Sequence, residues 1–457
     1  MDSSLANTLA ARDLAVVWHP CTQMHDHETL PMVPIARAEG AWLHGHDGRR
    51  YLDAVGSWWT CLLGHRHPRI VAALKDQLDR LDHVMLAGFT HEPAIALAET
   101  LVRIAPKPAD ENRALKRVFY ADNGSSAVEV ALKLSFHYWR NLGRGERTRF
   151  VALTGGYHGE TLGALSVTDI PLYRRTYDAL LLEPIFAPSP DAYDAAHGET
   201  PAACARRRLG ELRMIFEREA SSISAIIVEP LVQCAGGMRM HDPVYLSGLR
   251  ALCDEFDVHL IADEIAVGFG RTGTMFACEQ GRIAPDFLCL SKGLTGGTLP
   301  LSAVLTTNAI YDAFYAEYSA GKAFLHSHSY TGNPISCRAA LATLAVLSEE
   351  PVLERNRMLA AHLARRIASL ADHPHVADVR QTGMIAAIEM VRDKTTREPF
   401  PADERRGLVV YRHGLARGVV LRPLGNVVYF MPPYCITPDE IDLMVDVAIE
   451  GIGKAVD

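Results

Sequence analysis

The sequence predicts an α/β fold in which a mostly parallel sheet forms a large domain and a smaller α+β domain lies beside it. A chain of 457 residues is too long for one small core and favours a large domain plus a smaller one. Short apolar runs recur through the middle of the chain, and helical patterns separate them. This alternation is typical of a wound α/β sheet.

Five apolar runs are interpreted as buried parallel strands, and polar or glycine-rich residues follow each of them. The runs are 118–120, 150–153, 225–228, 259–262 and 287–290. Helical patterns follow Asn123-Gly124 and cover 245–256. The sequence therefore indicates that strand and helix alternate through this part of the chain.

The two ends of the chain look different from the middle. A long helical stretch over 336–371 precedes β-like pieces at 383–391 and 419–432. The first 70 residues are rich in turns, and we expect them to join this second lobe. The predicted division is 1–75 and 336–457 for the small domain, and 76–335 for the large one.

Composition and charge exclude several classes of protein. The chain is 48% hydrophobic and 22% charged, which is ordinary for a globular protein and excludes a disordered one. The net charge of −8 is spread along the chain, and the longest basic run, 206–208, is too short for a nucleic-acid surface. Nucleic acid is therefore not an expected partner.

Location is predicted from the start of the chain and from its cysteines. There is no basic segment followed by an apolar one at the start, and no run of about 18 apolar residues, so we expect no membrane association. The nine cysteines are scattered and never form C-x-x-C, which argues against a disulfide framework or a zinc ribbon. A cytoplasmic protein with reduced thiols is expected.

Ligands of wound sheets bind beyond the carboxyl ends of the strands, so residues just after the five runs are candidates for chemistry. Lys292 follows the last run, where a desolvated amine would have a lowered pKa and act as a nucleophile. The alternative is a lysine that extends to the surface. Asp263 ends the fourth run beside Glu264, in the same expected cleft, and could hold a pyridine nitrogen in its protonated form. The alternative is an acidic cap of a following helix.

Other candidates surround this pair. Gly124 and Ser125 open a helix, where backbone amides favour a phosphate, although Asn123 or Ser125 could simply cap that helix. Tyr157 follows a strand and could stack on a planar ring or plug the core. Adjacent tryptophans on an extended segment point opposite ways, so one of Trp58 and Trp59 is expected in the core and the other in a pocket.

Arg422 could clamp a substrate carboxylate, or be an ordinary exposed arginine.

Two further patterns carry less weight. The glycines at 268–273 match G-x-G-x-x-G, but no helix-forming stretch follows promptly, so dinucleotide binding is not expected. The histidine pairs 25/27, 44/46, 65/67 and 326/328 have no third and fourth ligand at a known spacing, so no metal is predicted.

The stretch LIADEIAVGFGRTGTMFACEQGRIAPDFLCLSKGLTGG, which joins Asp263 to Lys292, resembles the fold-type I, class III pyridoxal 5′-phosphate (PLP) dependent aminotransferases. The resemblance runs from about Trp18 to Tyr434. Within the class, WHPCTQM, GSWWT, HVMLAGFTHEPAI, VEPLVQCAGGMRM and YFMPPY are similar to the branch that transaminates 8-amino-7-oxononanoate with S-adenosyl-L-methionine as amino donor, in biotin biosynthesis. A seven-stranded sheet is implied.

The resemblance also implies roles for particular residues. Lys292 would bind PLP through a Schiff base and move the proton, Asp263 would pair with the ring nitrogen, and Tyr157 would stack on the ring. The phosphate would be held by Gly124 and Ser125, with His328 and Ser329 of a partner subunit beside them. The substrate would contact a set of side chains that overlaps the cofactor site: Trp58, Tyr157, Lys292, Ser327 and Arg422. A homodimer with shared active sites is expected.

Two positions depart from the family. Cys21 stands where the family often has a tyrosine, and His328 where a proline often precedes the bridging hydroxyl residue. A thiol cannot reproduce the reach of a phenol. Three alternatives stay open: lysine as the amino donor, another class III transaminase acting on an ω-amino acid or diamine, and a catalytically silent PLP-binding protein.

Overall fold

The structure, a computed structural model, describes residues 3–30, 32–193, 195–196 and 198–457. The helices of this part of the chain are α1 Ser3–Val16, α2 Gly56–Trp59, α3 Pro68–Leu78, α4 Glu92–Ile104, α5 Gly124–Asn141, α6 Leu162–Ser166, α7 Pro171–Arg174, α8 Pro201–Glu219, α9 Val244–Phe256, α10 Asn308–Asp312, α11 Pro334–Glu349, α12 Val352–Ile367, α13 Arg406–Ala416 and α14 Pro438–Val456. The strands are β1 Ile35–Glu39, β2 Trp42–Gly45, β3 Arg50–Leu52, β4 Leu115–Ala121, β5 Arg149–Leu153, β6 Ile185–Ala187, β7 Ile223–Val228, β8 Val232–Gln233, β9 Arg239–Met240, β10 His259–Asp263, β11 Phe287–Leu290, β12 Ser302–Thr307, β13 Val376–Thr382, β14 Ile385–Asp393, β15 Glu398–Pro399 and β16 Val427–Phe430.

A seven-stranded sheet in the order β4-β12-β11-β10-β7-β5-β6 forms the centre of the molecule. The pairings β10/β11, β10/β7, β5/β7 and β5/β6 are parallel, whereas β12 is antiparallel to both of its neighbours. The predicted fold class is therefore confirmed, including the mostly parallel sheet.

Both faces of this sheet are buried, which explains why its strands are continuous apolar runs. In β7, Ile226 faces a large apolar cluster that includes Leu249 of α9. The next residue, Ile227, faces a second cluster that includes Ala131 of α5. Alternate side chains of the strand thus contact helices on opposite sides of the sheet.

All five predicted strands are present, within β4, β5, β7, β10 and β11. Two strands of the sheet were not predicted. β6 has three residues and lies at the sheet edge, so it is too short to give a recognisable run. β12 has the sequence SAVLTT and is buried throughout. The hydroxyl residues at both of its ends interrupt the apolar pattern, so the sequence does not show a buried strand here.

The C-terminal part of the chain differs from the prediction in two places. The helical stretch expected over 336–371 is two helices, α11 and α12, because Pro351 separates them. A proline disfavours helical geometry at the residue before it. Glu350, which precedes Pro351, accordingly has an extended backbone, with φ −113° and ψ 148°. The β-like piece at 419–432 contains only the short strand β16, although Val419 forms an isolated bridge with Leu52.

The N-terminal sheet β1-β2-β3 contacts the C-terminal part of the chain. Leu52 N–H donates to the carbonyl of Gly418 at 2.8 Å, and Trp42 Nε1 donates to Glu440 Oε1 at 2.6 Å. Helix α3 spans the predicted boundary at 75/76, and α11 spans the one at 335/336. The three-part division of the chain stays a prediction.

All nine cysteines are free thiols. Within the residues that the structure describes, no helix is both long and apolar enough to cross a bilayer.

Candidate active site

The carboxyl ends of β4, β5, β7, β10 and β11 lie at one edge of the central sheet. β12 reverses direction between β11 and β4, so β4 runs parallel to the others. The polar residues after these strands therefore meet at this edge, as the sequence predicted.

Lys292 comes two residues after β11, with a left-handed backbone at φ +44°. Its Nζ lies 4.7 Å from the centroid of the Trp59 ring, an arrangement that favours a cation over the ring face. Burial lowers the pKa of the Lys292 amine, and the nearby Cys234 and Asp263 offset part of this effect. The enclosed amine therefore loses its proton more readily than the amine of a free lysine, and this does not fit a side chain that extends to the surface.

Asp263 is the last residue of β10 and is buried. Its Oδ2 accepts a hydrogen bond from Nδ1 of the buried His158 at 2.7 Å, and its Oδ1 accepts one from the Ile265 amide at 3.1 Å. Turns follow β10, so Asp263 caps no helix. A fixed carboxylate thus faces the same edge of the sheet as Lys292.

Glu264 does not share this cleft, contrary to the expectation from the sequence. It is fully buried and accepts the amides of Ala277 at 2.7 Å and Cys278 at 2.8 Å. Burial raises the pKa of Glu264 to about 7. Its side chain binds the loop on the other side of the strand from Asp263, because successive side chains alternate in direction.

Glu229 follows β7 and holds two loops of the site together. Its carboxylate accepts the amides of Tyr157 and Cys234, both at 2.9 Å. Burial raises the pKa of Glu229 to about 7, an effect that His158 partly offsets and Asp263 increases. The sequence placed Glu229 at a strand end but gave it no role.

The start of α5 is the candidate phosphate site. The Asn123 side chain accepts the Ser126 amide at 3.0 Å, so the expected N-cap is present. The amides of Gly124 and Ser125 have no partner inside the helix, and the positive end of the helix favours an anion there. A Cβ on Gly124 would lie 2.9 Å from Ile265 Cγ2, which explains the glycine. Thr161, which sequence reasoning missed, is hydrogen-bonded to the Ser125 hydroxyl at 2.7 Å.

Tyr157 lies in a small polar cluster near the N-terminal arm. Its hydroxyl donates to Glu160 Oε1 at 2.9 Å, and its ring centroid is 5.5 Å from that of Tyr173. Burial, with Glu160 close by, raises the pKa of Tyr157. The Cys21 thiol lies 3.6 Å from the same Glu160 oxygen. Sequence reasoning missed Glu160 and Tyr173, since only the fold brings them to Cys21.

The two adjacent tryptophans point in different directions, as expected. Trp59 is 5% exposed and donates from Nε1 to the Tyr429 hydroxyl at 3.1 Å. Trp58 is 40% exposed, and the Arg422 guanidinium lies 4.8 Å from its ring centroid. The expectation of an extended segment is wrong, because Gly56–Trp59 form a left-handed turn.

The segment 326–329 lies beside the start of α5 but does not reach its amides. His328 Nδ1 lies 3.1 Å from Asp122 Oδ2, and its Nε2 lies 3.2 Å from Nε2 of His326. Ser327 and Ser329 are exposed. Their expected contacts with substrate and phosphate require a partner subunit and stay predictions.

The loop Gly268–Gly273 is a series of turns, and only a three-residue 3-10 helix, Ala277–Glu279, follows it before β11, which does not fit a dinucleotide-binding motif. Arg271 within it is fully buried and donates to the carbonyls of Cys61 at 3.0 Å and Pro432 at 2.6 Å. Its role is to tie this loop to both ends of the chain. In the described residues, no group of three or more His, Cys, Asp or Glu side chains is arranged to hold a metal ion.

The fold and this site define an aminotransferase of fold type I, and the comparison with known proteins supports the same class. The sequence model described as aminotransferase class-III matches residues 23–452. The chain therefore belongs to the class-III aminotransferase family, which confirms the predicted enzyme class and, with it, PLP as the cofactor.

Individual relatives match over nearly their whole length. The adenosylmethionine-8-amino-7-oxononanoate aminotransferase of Geobacter sulfurreducens is 46% identical over 450 residues, covering 98% of this chain and 97% of the relative. The protein of the same name from Helicobacter pylori is 43% identical, covering 97% of each chain. The crystal structure of the Methanocaldococcus jannaschii protein of that name has a TM-score of 0.91 at 38% identity, covering 98% of this chain and 99% of that one. The omega transaminase of Pseudomonas jessenii in complex with PMP has a TM-score of 0.92 at 29% identity, covering 98% of each chain.

The residues present fit PLP. An amine of lowered pKa, a fixed buried carboxylate and a helix start that favours an anion are the three groups that its aldehyde, ring nitrogen and phosphate require. Gly124 lies directly against Ile265, so any side chain at position 124 would crowd this helix start.

Proposed function

We propose that this chain transfers the amino group of S-adenosyl-L-methionine to 8-amino-7-oxononanoate and forms 7,8-diaminononanoate, a step of biotin biosynthesis. The observation that carries the proposal is the full-length identity of 46% with a relative named for this activity. The enclosed amine of Lys292 beside Asp263 supports it, because a transaminase needs both groups at one place.

PLP supplies an electron sink for the pair of electrons left when a proton leaves the carbon that bears the amino group. Lys292 would hold the cofactor through its amine and, as the free amine, would take up the proton that leaves the carbon bearing the amino group and pass it on. Its lowered pKa suits both tasks, because it favours the neutral amine, which is the form that acts as a nucleophile and as a base.

Asp263 holds the ring nitrogen in its protonated form by electrostatic attraction, which is stronger in an enclosed site than in water. His158 fixes the carboxylate by its 2.7 Å hydrogen bond, and Ile265 binds the second oxygen. The amides of Gly124 and Ser125 hold the phosphate, with His328 and Ser329 contributed across a subunit interface.

Substrate binding is assigned to the outer side of the site. Arg422 binds the carboxylate of the keto acid, and its position over the exposed Trp58 leaves the guanidinium edge free to bind that group. Tyr157 and Ser327 complete the pocket. Glu160 carries a negative charge beside Tyr157, which suits a cationic donor such as S-adenosyl-L-methionine.

We propose further that the enzyme is a cytoplasmic homodimer. Several large apolar side chains are exposed in one chain, among them Trp18, Leu325 and Tyr318. Surfaces of this kind mark contacts between proteins. Nine free thiols suit a reducing compartment.

The test is a titration of the PLP-loaded enzyme with candidate donors, followed by visible absorbance and by identification of the product formed from 8-amino-7-oxononanoate. Loss of the cofactor absorbance with S-adenosyl-L-methionine, together with 7,8-diaminononanoate as product, is the expected result. Lys292→Ala should abolish turnover, whereas a change at the exposed Lys75 of α3 should not. Measurable transamination by the Lys292 variant would contradict the assignment.

A second candidate is a class III transaminase with another donor, either lysine or an ω-amino acid or diamine. The observation that favours it is the similarity to omega transaminases at TM-scores of 0.92 to 0.93. Lysine, alanine and diamines in the same titration separate these cases. A catalytically silent protein would bind PLP but respond to no donor.

A further inference from the structure

The turn Gly56–Trp59 has an unusual backbone. Its φ angles are +56° at Gly56, +44° at Ser57, +63° at Trp58 and +73° at Trp59. Glycine adopts this region freely, but other residues rarely do, and successive left-handed residues are rarer still. Three consecutive non-glycine residues in this region persist only where surrounding contacts hold them there.

This turn places two rings of the active site. Trp59 lies under the Lys292 amine, with Nζ 4.7 Å from its ring centroid. Trp58 lies under the Arg422 guanidinium at 4.8 Å. A turn that relaxed to ordinary right-handed or extended geometry would move both rings away from these two cations.

The contacts that hold the turn converge on one carboxylate. Asp53, which is 1% exposed, accepts the Ser57 amide on Oδ1 at 2.9 Å and the Ser57 hydroxyl on Oδ2 at 2.7 Å. His65 Nε2 lies 3.0 Å from the same Oδ2. The backbone N–H of Asp53 donates to the Ala41 carbonyl at 2.8 Å, so the backbone that carries this carboxylate is anchored to the chain next to the N-terminal sheet. From the other side, Arg271 donates to the Cys61 carbonyl just after the turn.

We propose that Asp53 is a positioning residue for the transamination: its carboxylate holds Ser57 in the left-handed region, and thereby fixes Trp59 against Lys292 and Trp58 against Arg422. Both Asp53 oxygens are used as acceptors, and the three donors come from two directions. A neutral or shorter side chain at this position cannot provide the same set of acceptors. The catalytic consequence rests on the proposed function, whereas the conformational one does not.

The main variant is Asp53→Asn, which keeps the size of the side chain. One of its terminal atoms becomes an amide nitrogen, which cannot accept the hydrogen bonds that Oδ2 now accepts from the Ser57 hydroxyl and the His65 ring. In the full-length holoenzyme we expect backbone amide exchange of residues 55–61 to accelerate at least about tenfold, as local opening becomes easier. The visible circular dichroism of the bound cofactor should change, and kcat should fall while KM for the keto acid rises, each about tenfold or more.

Two further variants keep the test decisive. Ser57→Ala removes only the hydroxyl contact and leaves the amide bond to Oδ1, so it should give smaller changes of the same kind even where Asp53→Asn fails to fold. Asp47→Ala is the matched control: Asp47 accepts the Arg49 amide at 3.0 Å in the turn between β2 and β3, and its loss should change none of these quantities.

Wild-type exchange at 55–61 in both Asp53→Asn and Ser57→Ala would overturn the proposal. Faster exchange with unchanged circular dichroism and unchanged kcat and KM would also overturn it, since the turn would then be structural alone. Failure of the proposed function is seen separately, as a wild-type protein whose cofactor absorbance responds to no donor, and the exchange measurement does not depend on that result.

Discussion

His259, the first residue of β10, makes the stability of the strand that carries Asp263 depend on pH. It is 8% exposed, its Nδ1 lies 2.8 Å from the Ser135 hydroxyl, and its ring stacks on Trp139 at 4.7 Å. Burial lowers the pKa of His259 to about 4, an effect that Asp286 opposes and Arg250 assists. The folded protein therefore keeps this imidazole neutral.

The sign of the effect follows from proton binding. In the unfolded chain a histidine binds a proton at about pH 6.5, whereas the folded chain binds one at His259 only at about pH 4. Between these values the unfolded state binds more protons, so this contribution to stability is complete above pH 6.5 and is lost as the pH falls towards 4. At pH 5 the loss amounts to about 2 kcal/mol of the free energy of unfolding.

The measurement is urea unfolding, followed by tryptophan fluorescence at fixed protein concentration, for the wild type and for His259→Phe. Phenylalanine keeps a ring against Trp139 but does not titrate. The difference in free energy of unfolding between the two proteins should shift by about 2 kcal/mol between pH 7.5 and pH 5, in favour of the variant at acid pH. Ser135→Ala is the control, because it removes the hydrogen bond and leaves the titrating ring. A difference that stays constant over this range would refute the reasoning.

Two other substitutions test the packing that supports the site. Gly124→Ala would place its Cβ 2.9 Å from Ile265 Cγ2, so we expect a loss of about 1–3 kcal/mol in urea unfolding and weaker retention of PLP on dialysis; unchanged retention would contradict the crowding. Asp286→Ala removes the buried carboxylate that lies 2.8 Å from Arg250. We expect it to lower the free energy of unfolding by about 3–5 kcal/mol in the same assay. Asp254→Ala removes the more exposed partner of the same arginine and should lower the free energy of unfolding by about 1 kcal/mol or less. Equal losses in the Asp286 and Asp254 variants would show that burial of the ion pair does not set its contribution.

The central sheet was largely predictable because strands that are buried on both faces are continuous apolar runs in the sequence. Runs such as 225–228 are apolar at every position, and turn residues bound them. The same reasoning missed β12, where Thr306 and Thr307 are buried hydroxyl residues that find hydrogen-bond partners only in the fold. The Thr306 hydroxyl donates to the Asp286 carbonyl at 2.9 Å, and the Thr307 hydroxyl accepts the Ile310 amide at 3.2 Å. It also joined α11 to α12, since the apolar pattern continues on both sides of Pro351.

The site was predictable to the extent that it depends on single strand ends. Lys292 and Asp263 became candidates because Asp263 ends one apolar run and Lys292 lies two residues after another. The contact of Lys292 with Trp59, and of Asp263 with His158, depends on pairing between distant segments, to which a single sequence gives no guide. Glu264 was assigned to the wrong side, because the residue after a strand can continue its alternation or turn out of it, and here it continues.

The reversal of β12 affects how Lys292 is held in the sheet. Residues 291–301 close a hairpin between two adjacent strands, whereas every parallel pairing of the sheet needs a long crossover. Both ends of this loop are therefore fixed by neighbours close in sequence, and it can form early with little loss of chain entropy. An engineer who wished to shift the amine along the rim of the sheet could edit this hairpin alone and leave every crossover untouched.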